Sequence, residues 1–363
     1  MKIEGVTFEN RRFVQGGMLL NVPAGCINLG ENGIKHIYSR NNGKNIKMSY
    51  ISGQSIKAKI KDHLEEKGIK LSIPKIVQEK GKKNTPTTSC NPFEYLDDDL
   101  FGYMNVIPAN EKEKVDEDNK GTTRAGAFKI SYFIGREGDI KNDFGVKRNG
   151  AFKDNELTTM PLTENRGFAS TQYSGCFIID LNCTGRFFKK NISGYKNLSD
   201  TFPVEHYEDK IMKNEYGEIV LKPEIRTERV QTLIESLPYL NGGAKMATIY
   251  ADIAPKFVVY CVTDIGNNLF QEISNPANDF NISALREGIK DYQAHIKSNI
   301  YMAKKNGFLD TYTQEIKAFV DDFNIKTDNI QIICNEDLSG INEITKRFSK
   351  EVLAKIYYSV EGI

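Results

Sequence analysis

No stretch of about 18 consecutive apolar residues occurs in this 363-residue chain, so no segment reads as a transmembrane helix. The opening segment, MKIEGVTFENRRF, also lacks the 7–15-residue apolar core of a secretory signal. A cytoplasmic protein with no membrane partner is the expectation. Cysteine is sparse and scattered: Cys26, Cys90, Cys176, Cys183, Cys261 and Cys334 include no pair at CxxC spacing. That distribution implies neither a zinc site nor a disulfide framework, and reads as reduced cytosolic thiols. The four histidines, His36, His63, His206 and His295, stand apart from one another, so nothing supports histidine-based nucleophilic catalysis. No cofactor and no bound metal are expected.

Net charge is +1, and no overall field announces a polyanionic partner. The distribution along the chain is more telling. Residues 40–83 carry 12 Lys/Arg against 4 Asp/Glu, and residues 94–118 carry 2 against 9. Opposite blocks of this kind suit head-to-tail self-association or an anionic ligand held at one place, or simply two solvated loops. A hydrophobic content of 39% is ample for a core, and the length suggests two domains or one elaborated domain.

Pattern reading gives an α+β chain. A strand is expected at 1–9, with further β-prone residues at 11–20, then a short strand at 46–51 and a helix at 52–68. A Lys/Thr-rich connector leads to FEYLDDDLFGYM and to the charged loop ANEKEKVDEDNKGTT. Strands follow at 126–134 and 173–183, separated by a Gly/Asn/Thr-rich segment, 134–172, of little regular pattern. After a polar insert at 189–222 come a helix at 223–240, started by Pro223, and a buried strand at 256–263. The remaining residues read as three amphipathic helices, ISALREGIKDYQAHIKSNIYMAKKNG, LDTYTQEIKAFVDDF and INEITKRFSKEVLAKIYYSV, around one short strand, IQIIC. In order, the elements before residue 264 form the β-α-β-β-α-β sequence of a ferredoxin-like or RRM core with long insertions, followed by a helical C-terminal part.

The helix in YISGQSIKAKIKDHLEEKG has its charges reversed. Lys57, Lys59 and Lys61 crowd its first half, and Glu65 and Glu66 its second. The helix dipole favours the opposite order by roughly 0.3–1 kcal/mol per exposed terminal charge. Ser52-Gly53-Gln54-Ser55 supplies small residues, hydroxyls and free N–H donors at the helix start, a natural phosphate cradle. Lys57 and Lys61, four residues apart, share one face, while Ile56, Ile60 and Leu64 form a stripe for the core. An ordinary capped helix with solvated lysines is the alternative.

NGGAKMATIYADIAP offers a second cradle, in which Gly242 and Gly243 allow close backbone approach and Lys245 adds a cation. Gly-Gly after a helix is also a common stop. Asp97-Asp98-Asp99 invites a metal site, but consecutive carboxylates on an extended chain point apart. A solvated or subunit-facing acidic edge is the expectation there. Asp143-Phe144-Gly145 lacks the Gly-rich and catalytic-loop companions of a kinase.

Taken in order, YISGQSIKAKIKDHLE, DDDLFGYM, RAGAFKISYF, DFG at 143–145, YSGCFIIDL and GGAKMATIYADIAPKFVVY resemble the seventh CRISPR-associated (Cas) protein family, the backbone subunit of RNA-guided effector complexes. The match is best to the DevR-like branch of type I-B Cascade complexes, from the N-terminus to about residue 263. The resemblance implies an RRM-like palm over 1–263 and a mainly helical part over 264–363, packed on or beside it. The palm would carry a finger-like insertion at about 69–123, a thumb-like one at 134–172 and the polar insert at 189–222. The thumb would reach over a neighbouring subunit's RNA and displace a base from the guide–target duplex. Arg136, Lys141, Lys147, Arg148 and Lys153 would supply its charge; an untethered surface loop is the alternative. The implied guide-RNA contacts are Arg40, Ser52, Gly53, Gln54, Ser55, Lys57, Lys61, Arg124, Lys147, Arg148, Gly242, Gly243 and Lys245.

The expected function is a non-catalytic subunit that polymerises along a CRISPR guide RNA (crRNA). Its partners would be the crRNA, neighbouring copies of itself, other Cascade subunits and, through the guide, target DNA. Each copy would grip sugar-phosphate and leave base edges free to pair. Related type III subunits cut target RNA with an aspartate before the Ser-Gly turn. Residues 28–51 contain only Glu31 as an acidic residue, which argues against that target-RNA endonuclease reading. A stand-alone RNA-binding regulator is the third reading.

Overall fold

The computed structural model describes residues 11–30, 33–41, 43–77, 85–105, 122–136, 140–145, 150–153, 156–159, 164–189, 197–213, 218–244, 246–247, 249–274 and 279–358. One sheet of ten strands organises them. In chain order its elements are β1 (Phe13–Gly25), β2 (His36–Asn41), β3 (Lys44–Ile51), α1 (Gly53–Glu66), α2 (Leu96–Leu100), β4 (Phe128–Ile130), β5 (Phe133–Gly135) and β6 (Ile140–Gly145). These are followed by β7 (Glu164–Asp180), α3 (Pro223–Ser236), β8 (Pro255–Thr263), α4 (Ile282–Asp291), β9 (Ile300–Lys304), α5 (Thr313–Lys326), β10 (Ile332–Ile333) and α6 (Ile341–Glu351). The strand order is β10-β9-β8-β1-β7-β5-β3-β2, with β4 and β6 also paired to β7. Every described pair except β9–β10 is antiparallel.

Strand alternation creates two cores. Val14, Met18, Leu20 and Val22 of β1, Tyr173, Phe177 and Ile179 of β7, and Val258, Tyr260 and Val262 of β8 face one way. They pack against Ile56, Ile60 and Leu64 of α1, Val230, Leu233 and Ile234 of α3, and Ile344 and Phe348 of α6. Leu19, Phe257, Val259 and Cys261 face the other way, onto Phe270, Ile273 and residues of α4 and α5. Covered on both faces, PKFVVYCVT is buried throughout, as a near-continuous apolar run requires. Gly17 belongs to this second contact: an added Cβ would lie 2.7 Å from Cβ of Phe270.

α1 starts and stops where its sequence signals lie. Ser52 is the N-cap, its Oγ accepting from Ser55 N at 3.2 Å. Gly68, at φ +77°, closes the other end while Ile69 N donates to the Leu64 carbonyl.

Several expectations change. The strand expected at 1–9 lies outside the described residues, and the first sheet strand is Phe13–Gly25. The 126–134 strand breaks at Ser131-Tyr132 into β4 and β5. Segment 134–172 is more regular than its composition suggests: β6, which contains the DFG triplet, pairs with the first third of β7, and Gly150–Lys153 pairs with Glu156–Thr159. The helix expected through residue 307 ends at Asp291, and IYMAK is instead a buried strand paired with β8. Tertiary pairing overrides an ambiguous local pattern there. The sheet therefore runs on past residue 263, with β9 and β10 extending it. A satellite core joins Phe93 of the 69–123 insertion to Phe187, Leu198, Val204, Ile211, Ile219 and Leu221 in and beside the 189–222 insert.

Candidate nucleic-acid interface

The start of α1 lies against the break between β4 and β5. A Cβ on Gly53 would lie 2.9 Å from the Ile130 carbonyl oxygen, so glycine is required there by the close approach of two backbones. Ser52 Oγ holds Ser55 N and the Ser52 carbonyl holds Ile56 N, leaving the Gly53 and Gln54 N–H groups without a protein partner among the described residues. The first turn contains no acidic side chain. Gln54 is exposed at this end while Gly53 is buried against the break, and unpaired N–H groups at a helix start carry the partial positive charge that favours anions.

Hydrogen bonds and close contacts link this point to the Gly242–Gly243 loop. Asn28 Nδ2 donates to the Tyr50 carbonyl at 2.8 Å, tying the end of β1 to the residue two before the cap. Ala244 N donates to the Cys26 carbonyl at 2.6 Å, docking the Gly-Gly loop beside it. Gly242, at φ +109°, abuts the Lys59 stem, and Gly243 faces the Cys26 carbonyl. Tyr50 and Tyr132 stack, centroids 5.1 Å apart and planes 5° from parallel. The two expected cradles are thus neighbours, bridged by Cys26–Asn28. Neither Asn28 nor Tyr132 was singled out by sequence reasoning. Tyr132 lies within RAGAFKISYF, where alternation alone does not show that the strand breaks beside it.

The lysines of α1, among them Lys57 and Lys61 of the expected phosphate site, are engaged within the chain. Lys61 Nζ forms an ion pair with Asp97 Oδ2 at 2.6 Å. Lys57 lies over the Phe101 and Phe128 rings, 5.6 and 5.9 Å from their centroids. Burial, aided by the Lys61 charge, pulls its ammonium below the ordinary lysine range. Lys59 pairs with Asp62 at 2.8 Å. The basic and acidic blocks meet inside the molecule, through Lys61–Asp97 and Lys70–Glu94.

The aspartate triplet is buried, not a solvated or subunit-facing edge. On α2 each carboxylate finds a different partner. Asp97 accepts from Ser72 N at 2.9 Å as well as from Lys61. Asp99 lies between two guanidinium groups: Arg124, and Arg229 of α3 at 2.7 Å, with Gly185 N donating at 3.0 Å. Arg124 also donates to the carbonyls of Asp99, Cys183 and Arg186, so its expected RNA contact is replaced by a buried structural role.

Asp98 has no such cation. It accepts from Asn91 N at 2.8 Å, and burial pushes its carboxyl above the ordinary range, against the pull of Thr88 and the Asn91 N–H. A carboxyl raised on folding stabilises the fold below its unfolded value, and this contribution is lost as pH rises through the raised one. Asp98→Asn, which keeps the acceptor, is therefore expected to be more favourable to stability at pH 7 than at pH 4. Urea midpoints at the two pH values check this, and an equal difference at both would sink it.

Arg136 forms an ion pair with Asp279. Arg40 lies on β2, and its backbone pairs with Asn45. Lys147, Arg148 and Lys245 lie outside the described residues. Among the described residues, no group of three or more His, Cys, Asp or Glu could hold a metal ion, and no helix is long and apolar enough to cross a membrane.

A family model described as "CRISPR-associated negative auto-regulator DevR/Csa2" matches residues 30–274. No curated protein matches the chain. Among solved structures, a chain of a "CRISPR RNA-guided surveillance complex, pre-nicking" is similar in fold at 10% identity and a TM-score of 0.54, covering 93% of this chain and 99% of that one. A chain of a "CRISPR RNA-guided surveillance complex" is similar at 13% identity and a TM-score of 0.50, covering 92% and 98%.

Proposed function

Because the chain belongs to the DevR/Csa2 family of CRISPR-associated proteins, we propose that it is a non-catalytic subunit that binds guide RNA and polymerises along it. It would form the backbone of a Cascade surveillance complex of type I-B, with crRNA, copies of itself and other subunits as partners and target DNA reached through the guide. The observation that carries the RNA reading is the start of α1, with Gly53 and Gln54 N–H groups unpaired among the described residues and no first-turn acid, beside the Gly242–Gly243 loop that abuts Lys59.

Strand order supports a ferredoxin-like or RRM core. β8-β1-β7-β5 are antiparallel neighbours, with α1 and α3 packed on one face. The opposite face of β1 and β8 is covered by residues within 265–274 and 280–326, so RNA would run along the edge of the sheet at α1 rather than across its middle. The non-catalytic reading draws on the single acidic residue in 28–51 and on the engagement of Asp97 and Asp99 with Lys61, Arg124 and Arg229.

Gln54→Glu combined with Ser55→Glu tests the cradle. Acids in a first turn favour the helix dipole by about 0.3–1 kcal/mol each, so the variant should melt no lower than the parent. Its affinity for RNA at low salt should nevertheless fall about tenfold or more, as charge replaces phosphate at the open N–H groups. Filter binding and size-exclusion profiles on RNAs of increasing length read both affinity and polymerisation. Unchanged affinity would remove α1 from the interface, and a complex that remains monomeric on long RNA would favour a stand-alone regulator.

A further inference from the structure

Behind the β4–β5 break, on the sheet face away from α1, lies a cavity of about 380 Å³. Its floor is made by Met48 of β3, Ile134 of β5, and Ser174 and Cys176 of β7; Gln271 and Glu272 border it after β8. Tyr132 forms the rim. Its side chain is 52% exposed although one ring face is stacked on Tyr50, so the other face is offered outward as a flat aromatic surface. Ser174 Oγ is buried with no hydrogen-bond partner among the described residues.

We propose that this cavity receives one unstacked nucleobase of a bound RNA, stacked on or beside Tyr132 and hydrogen-bonded along its edge by Ser174, Gln271 and Glu272. The inference rests on the RNA reading above, and adds to it a base site separate from the phosphate cradle. Three features favour a base. The volume is at the low end of the roughly 300–1,000 Å³ range of small-ligand clefts. An exposed aromatic ring stacks any base, because every base has a π-face. The polar lining matches the donors and acceptors of a base edge, whereas an aliphatic side chain from a second copy would leave the buried Ser174 Oγ unsatisfied. Position agrees as well. Gly53 packs on the Ile130 and Ser131 carbonyls, and Tyr132 is the next residue of the same break, so the helix start and the cavity rim belong to one stretch of chain.

The test uses full-length protein and single-stranded RNA carrying 4-thiouridine at one position at a time. Photo-crosslinking followed by mass spectrometry should place an adduct on Tyr132 or another lining residue, and Tyr132→Ala should weaken RNA binding about tenfold. Ser174→Leu, which pushes an apolar side chain into the cavity floor and removes the Ser174 hydroxyl, should abolish the adduct; Tyr132→Ala keeps the test decisive should that variant not fold. Parent protein that binds RNA with no adduct there, and with Tyr132→Ala affinity unchanged, overturns the base site alone. Parent protein that binds no RNA overturns the base site and the RNA reading together. Loss of RNA-free self-association in Ser174→Leu, with RNA affinity intact, would identify the occupant as a second copy and overturn the proposal.

Discussion

Asp99→Ala should be the most damaging single substitution in the chain, costing about 3–5 kcal/mol of folding stability. Its carboxylate is fully buried, between Arg124 and Arg229, which are themselves buried. Removing the carboxylate leaves two guanidinium charges facing each other in a low-dielectric interior with no counter-ion. Their remaining acceptors are backbone carbonyls, those of Asp99, Cys183 and Arg186 for Arg124 and those of Pro92 and Phe93 for Arg229. Carbonyls satisfy hydrogen bonds but do not neutralise charge. Against a typical total of about 5–15 kcal/mol, such a loss removes much of the margin. It should also be structural in kind, because the cluster joins four parts of the chain: α2, the strand at Thr122–Ala125, α3 and the turn at 181–185. Chemical denaturation of Asp99→Ala should therefore show a strongly lowered midpoint. A midpoint within experimental error of the parent would mean that the cluster does not hold these parts together. Asp98→Asn is the internal control, since the adjacent buried carboxylate lacks a cation and tolerates loss of charge.

Periodicity identified what local sequence determines. Ser52, Gly68 and the Ile56-Ile60-Leu64 stripe marked α1; Pro223 marked α3; the apolar-leaning run at 256–263 marked β8. The β-prone residues of 11–20 fall largely in β1, where Gly16 is required because the Phe177 and Tyr260 rings cross it. Where a strand depends on distant partners, the signal failed. IYMAK lies among helical patterns, and only its pairing with Phe257–Tyr260 makes it a strand. β6 and the first part of β7 carry little apolar alternation, so their residues gave no strand pattern to read.

The candidate site divides in the same way. The Ser-Gly-Gln-Ser turn is a local motif and was legible. The partners of its lysines were not, because Asp97 is 36 residues from Lys61 and reaches it only through the fold of the 69–123 insertion. For the same reason three consecutive aspartates read as a solvated edge. On a helical turn, with cations supplied by α1, by the strand at Thr122–Ala125 and by α3, two of them instead become buried anchors. Tyr132 acquires its meaning from Tyr50, a stack across two strands far apart in sequence.

Lys61→Glu should cost about 3 kcal/mol of stability, with or without RNA present. The reversed charges of α1 would be tolerated for RNA's sake if Lys61 held phosphate, and then Lys61→Glu would leave the free protein intact and weaken only the complex. Instead, Lys61 donates to a fully buried Asp97 whose only other described donor is Ser72 N. A glutamate there would set two carboxylates against each other at the joint between α1 and the insertion, with one of them denied solvent. Because the Lys61 side chain is about a third exposed, water moderates the repulsion, and the loss should stay below that of Asp99→Ala. Lys61→Met separates charge reversal from simple loss of the partner and should be the milder of the two. Thermal melts of the free protein decide between the accounts: an unchanged melting temperature in Lys61→Glu would return this lysine to the RNA. A clear drop would show that the Lys61 part of the charge pattern on α1 serves the fold, leaving the unpaired N–H groups at its start as the part of the helix available to an anion.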